Sequence, residues 1–167
     1  MAQNEVGKPW VLLSLGLSVR QGVKDYTLKR ENLTLQTPDG KTVPLATQKE
    51  FLEAGGLHAL NKMASLSNDS INYFPVGPNR PCATKFFAAP GGGGPAYDQV
   101  DLSEERDCVG RVYFDVPGGI QPGQYWLNVK FAGSLVRVAF RTFTKDEAEA
   151  FHKPWQDLKK AHDESNK

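Results

Sequence analysis

DVPGGIQPGQYWLNVKF, residues Asp115 to Phe131, reads as a turn, a corner and then a strand. Pro117, Gly118 and Gly119 are turn formers, and Pro122-Gly123 makes a second break just before the strand. From Tyr125 onward the residues alternate. Tyr125, Leu127, Val129 and Phe131 share one face, while Trp126, Asn128 and Lys130 share the other. Period-two alternation marks a strand with one side toward a core. Further strands are predicted on either side, over Val109–Val116 and Leu135–Phe143. The second is joined through Ala132-Gly133-Ser134, a short glycine-containing hairpin loop.

The segment Ile120-Gln121-Pro122-Gly123-Gln124-Tyr125 resembles the tyrosine corner of immunoglobulin-like and fibronectin type III sandwiches. There a Leu-x-Pro-Gly-x-x-Tyr-like turn precedes a strand, and the tyrosine hydroxyl returns to upstream backbone. Here the tyrosine comes one residue earlier, and the resemblance spans only Val112 to Val138. It implies a mainly β, immunoglobulin-like antiparallel β-sandwich. It also implies a buried Tyr125 whose hydroxyl bonds backbone between Val116 and Gln121. On this reading Pro117–Gly123 is structural punctuation rather than a binding loop.

The rest of the chain adds strands and two helical segments. Val11, Leu13, Leu15, Leu17 and Val19 fall on one face, so residues 10–20 form a strand whose other face, from Trp10 to Ser18, is half exposed. Tyr26–Gln36 is expected as one strand, turning at Pro38-Asp39-Gly40 into Lys41–Leu45. Thr47-Gln48-Lys49-Glu50 is a capping box, in which threonine and glutamate side chains satisfy free amides at a helix start. It opens a helical insertion over 47–66 that Gly55-Gly56 interrupts. Residues 68–99 read as a long loop carrying one short strand near Ala83–Ala88. Thr144–Glu147 is a second capping box. It opens a C-terminal helix over 144–167 with an apolar stripe of Ala148, Phe151, Trp155 and Leu158, kinked or restarted at Pro154. Residues 1–9 are a flexible start, and the whole is one domain.

Composition narrows the function. Sixteen glycines and 11 prolines in 167 residues exceed the roughly 12% average and favour many turns. A net charge of +1 argues against a nucleic-acid partner, whose binders carry a basic excess. No stretch has the roughly 18 apolar residues of a membrane span. Cys82 and Cys108, the only two cysteines, are expected to form a disulfide worth roughly 3–4 kcal/mol on the chain-entropy model. That bridge points to the periplasm or cell exterior, with any leader already removed.

Candidate chemistry is sparse. There is no Gly-x-Ser-x-Gly elbow, and His58, His152 and His162 stand outside any triad context. The cysteines lack zinc spacing, and Pro90–Pro95, with its four glycines, lacks the Gly-Lys-Ser/Thr ending of a phosphate loop. Asp98, Asp101, Glu104, Glu105 and Asp107 lie in a stretch that reads as a solvated turn, without the calcium-loop pattern. No cofactor is expected. Long ordered loops tend to be functional, and this one carries Tyr73, Phe74, Phe86, Phe87 and Tyr97. With Trp126 these aromatics are the candidate ligand-binding residues, unless they simply cover one end of the fold. The expectation is a non-enzymatic exported interaction module whose partner is another protein or a carbohydrate. One alternative is a carbohydrate- or small-ligand-binding sandwich using exposed aromatics. The other is an enzyme with carboxylates in 98–107.

Overall fold

The computed structural model describes residues 6–20, 25–66, 79–91 and 94–150. Over these residues the chain is mainly β. Its strands are β1 (Trp10–Ser18), β2 (Tyr26–Lys29), β3 (Leu33–Gln36), β4 (Thr42–Pro44), β5 (Arg80–Ala83), β6 (Gln99–Leu102), β7 (Arg106–Asp115), β8 (Gly123–Phe131) and β9 (Ser134–Thr142). Helices α1 (Gln48–Glu53) and α2 (His58–Leu66) lie between β4 and β5. The strands form three sheets, in the orders β1-β7-β5, β2-β6 and β4-β3-β8-β9.

Alternation along the strands explains how the sheets meet. Tyr125, Leu127 and Val129 of β8 are buried beside Leu33, Leu35 and Val43 of its neighbours. Opposite them stand Val11 and Leu13 of β1 with Cys108, Val112 and Phe114 of β7, and Leu28 and Leu102 close one end. All of these belong to one core. Burying each large side chain contributes roughly 1.5–3 kcal/mol, so the pairing of these apolar faces dominates the fold's stability.

The second face of the β1-β7-β5 sheet is covered too. Leu12 and Tyr113 pack against Phe51 and Ala64 of the helices. The Tyr113 hydroxyl donates to Asn61 Oδ1 at 2.6 Å, and Asn61 Nδ2 donates to the Gly56 carbonyl at 3.1 Å. The Thr47–Glu50 capping box is formed, and a 3₁₀ turn at Gly55–Leu57 separates α1 from α2. Gly56 takes φ 65°, and a Cβ there would sit 2.5 Å from Pro90 Cδ, so both its conformation and its neighbour require glycine.

The corner forms as the resemblance implies. Tyr125 is fully buried; its Oη accepts from the Gln121 amide at 2.9 Å and donates to the Gln121 carbonyl at 3.0 Å. Cys82 and Cys108 form a disulfide with Cα atoms 4.2 Å apart, directly opposite one another on β5 and β7.

Several expectations are corrected. Tyr26–Gln36 is not one strand: a 3₁₀ turn at Arg30–Asn32 splits it, and β2 and β3 join different sheets. The cause is Arg30, whose largely buried guanidinium donates to the carbonyls of Ala46 and Phe86 and pairs with Asp98 at 2.9 Å. The short strand expected at Ala83–Ala88 lies at Arg80–Ala83. The stretch 98–107 is not a turn throughout but contains β6 and the start of β7. The sheets are not wholly antiparallel, because β5 runs parallel to β7. Leu12, on the face of β1 expected to be half exposed, is buried beneath the helices.

After β9, residues 145–150 are helical. Their capping box joins the Thr144 amide to Glu147 Oε2 at 2.9 Å and the Glu147 amide to Thr144 Oγ1 at 3.2 Å. The remainder of the expected stripe, Phe151, Trp155 and Leu158, lies outside the described residues. Among the described residues no helix is long and apolar enough to cross a membrane.

Candidate functional site

The border between β1 and β9 is where apolar surface stays open. β1 pairs only with β7, and β9 only with β8, so among the described residues each strand has a bare outer edge. β9 follows the register of β8, with Val138 opposite Leu127 and Val136 opposite Val129. Its inward face is therefore apolar like that of β8. Val136 and Val138 nonetheless remain 47% and 50% exposed. The result is a groove of about 580 Å³. Residues Ser14 to Arg20 form one wall, Val136 and Val138 the other, and Leu127, Val129 and Phe131 the floor. Arg20 is its only charged lining residue, and among the described residues it makes no ion pair.

Among the described residues, the aromatics singled out in the sequence do not gather there or on any other single surface. Phe86 is buried in the core. Phe87 lies against Phe51 and Tyr113, with ring centroids 5.2 and 4.8 Å away, and beneath the Arg30 guanidinium at 4.8 Å. Tyr97 is half exposed, with its amide donating to the Lys85 carbonyl at 2.7 Å. Trp126 lies on the opposite face of β8 from the groove, under the Arg137 guanidinium at 4.5 Å. That arginine also donates to Asn128 and Gln36. Tyr73 and Phe74 lie outside the described residues.

The acidic stretch is likewise dispersed. Asp98 pairs with Arg30, Asp101 accepts from Thr27 Oγ1 at 2.8 Å, and buried Asp107 accepts from Asn79 Nδ2 at 3.2 Å. Glu104 and Glu105 occupy the turn from β6 to β7. Among the described residues no group of three His, Cys, Asp or Glu side chains is arranged to hold a metal.

Displaced titrations trace to local structure rather than to a reactive centre. Hydrogen bonds from Lys41 and Thr37 hold Asp39 down at about 2, within the hairpin turn. Backbone amides of Thr47 and Thr144 lower Glu50 and Glu147 in the two capping boxes. Burial raises Tyr113 and Tyr125. These groups are scattered, and none lines the groove.

A second apolar hollow of about 430 Å³ lies between Trp10 and the helices, lined by Leu57, Leu60 and Met63 with His58 at its rim. It is a seam of the helical layer and offers few polar groups for orienting a ligand.

The groove escaped the sequence reading for a definable reason. Leu15 and Leu17 fall on the inward face as expected, but periodicity does not say how far the opposing sheet extends. One signal was available: Trp10–Ser18 contains no charged residue and no proline, the usual guards of an edge strand. No protein-family model, curated protein or solved structure matches the chain.

Proposed function

We propose that the chain is a non-enzymatic interaction module of the periplasm or cell exterior, an immunoglobulin-like β-sandwich that binds through the groove between β1 and β9. The groove is the observation that carries this reading. Adjacent apolar residues left open on one face mark binding surfaces more often than isolated ones do. The disulfide supports an oxidising compartment.

Strand order supports the sandwich type. The order β1-β7-β5 corresponds to strands B, E and D, and β4-β3-β8-β9 to C′, C, F and G, with the tyrosine corner between E and F. The parallel β5 departs from that pattern, since strand D normally runs antiparallel to E. Among the described residues the groups with displaced titrations are scattered rather than gathered in one pocket.

The test is an apolar fluorescent dye, 1-anilinonaphthalene-8-sulfonate, titrated into the folded chain. One saturable site is expected, lost in Val138→Asp and kept in Thr42→Asp on the far edge of the same sheet. A dye site indifferent to Val138→Asp would refute the groove as the binding surface.

A further inference from the structure

We propose that the groove receives a β-strand donated by another polypeptide, which adds to the outer edge of β1 and takes the place of strand A. The proposal rests on the sandwich reading above. In the immunoglobulin-like order A pairs with B, and β1 in the B position has no such neighbour among the described residues. Two features fit an extended occupant. A bare strand edge presents a row of unpaired backbone donors and acceptors, and an added strand satisfies them. The groove floor and β9 wall are apolar, so they take the alternate side chains of that strand. The seven wall residues from Ser14 to Arg20 span roughly 23 Å at about 3.3 Å per residue, which sets the occupant at about seven residues.

Charge and sequence narrow the occupant further. Arg20 is the one charged lining residue, so an incoming segment with a carboxylate at that end is favoured over a basic one. The three longest segments outside the described residues lack the pattern. Residues 1–5 are MAQNE, and 67–78 are interrupted by Pro75. In 151–167, Phe151, Trp155 and Leu158 are spaced four and three apart, the helical rather than the extended period, with Pro154 among them. The occupant proposed is a segment of a separate polypeptide with apolar residues at alternate positions.

The experiment uses the full chain, shown monomeric by sedimentation, and a nine-residue peptide alternating valine and threonine that begins with aspartate, the end lying at Arg20 when it runs antiparallel to β1, and carries a dansyl label at its C-terminal end. Fluorescence anisotropy should show saturable binding. Val138→Asp should weaken it at least tenfold, and Arg20→Gln several-fold. Two further peptides, N-methylated at two threonines in one and at two valines in the other, keep every side chain; the one that loses ladder amides should bind at least tenfold more weakly. Hydrogen exchange should show new protection in residues 14–18 when the peptide is bound. Undiminished binding of both N-methylated peptides would overturn strand addition and leave a groove that merely adsorbs apolar material. Dye binding without peptide binding would sink this proposal alone, and failure of both would sink the module reading with it. Dimerisation through β1 would assign the groove to a second copy and overturn the proposal as stated.

Discussion

Replacing Tyr125 by phenylalanine tests the corner at a single oxygen. The ring stays buried and stacked on Phe140 at 5.3 Å, so apolar burial is unchanged. Two hydrogen bonds are lost, one to the amide and one to the carbonyl of Gln121. Each is worth about 0.5–1.5 kcal/mol net. The carbonyl keeps a second donor, Thr142 Oγ1 at 2.6 Å, so only the amide loses its sole protein partner. The expected loss is about 1.5 kcal/mol. With a urea slope near 2 kcal/mol/M, the unfolding midpoint should fall by roughly 0.7 M at unchanged slope. Thr142→Val alone should cost about 1 kcal/mol. Together the two changes strip the Gln121 carbonyl of both donors, so their combined loss should exceed the sum by about 0.5–1 kcal/mol. Urea titration followed by tryptophan fluorescence measures all three variants. Tyr125→Phe within about 0.3 kcal/mol of the parent, or strict additivity in the double variant, would refute this account of the corner.

Three further outcomes are expected. Replacing Cys82 and Cys108 together by serine should cost about 3.5 kcal/mol on the chain-entropy model, seen as a thermal midpoint lower by roughly 7–14 °C; an unchanged midpoint would show that the bridge constrains little. Gly110→Ala should destabilise by more than about 2 kcal/mol in urea, because its Cβ would lie 1.7 Å from Thr84 Oγ1. The added Thr84→Ala change should rescue it only in part, since the Thr84 carbonyl stands 2.8 Å from the same Cβ. The contribution of Tyr113 and Tyr125 to stability should be full below about pH 10 and fall above it, because burial raises both above 10.0 and the unfolded chain then releases their protons first. Unfolding free energies measured between about pH 9 and 11 should lose part of that slope in Tyr113→Phe, and a slope unaltered by that change would count against the assignment.

Local chemistry was legible in the sequence where one segment carries its own signal. The Pro122-Gly123 break, the alternation from Tyr125, the two capping boxes and the Gly55-Gly56 interruption all appear where the residues place them. What sequence could not show depends on distant partners. Arg30 breaks a strand because Ala46, Phe86 and Asp98 surround it, and none of these is near it in the chain. Leu12 is buried because α1 and α2 fold back over β1, which alternation within β1 does not reveal. The acidic stretch looked solvated because its charges mask β6, where Leu102 enters the core and Val100 packs against it. The candidate aromatics failed to form a surface for a related reason. Phe86 and Phe87 are neighbours in sequence, yet one enters the core and the other reaches toward the helices.

The open groove follows from how the layers are shared out. The β1-β7-β5 sheet is apolar on both faces near its middle and is covered on both, by helices on one side and by the opposing sheet on the other. Its coverage ends at β1. The opposing sheet ends in β9, whose Val136 and Val138 stay half bare across the groove from β1. Edge strands are normally protected by charge, and the two borders differ in this. β9 carries Arg137 and Arg141, both engaged with neighbours, while β1 reads WVLLSLGLS and carries none. An incoming strand therefore meets cations if it joins β9 and an unguarded ladder if it joins β1. The same absence that makes β1 a hazard for random association makes it the edge on which a specific strand gains most. Half-exposed valines opposite that edge add to the gain, because each still has part of its roughly 1.5–3 kcal/mol of burial unrealised until the groove is filled.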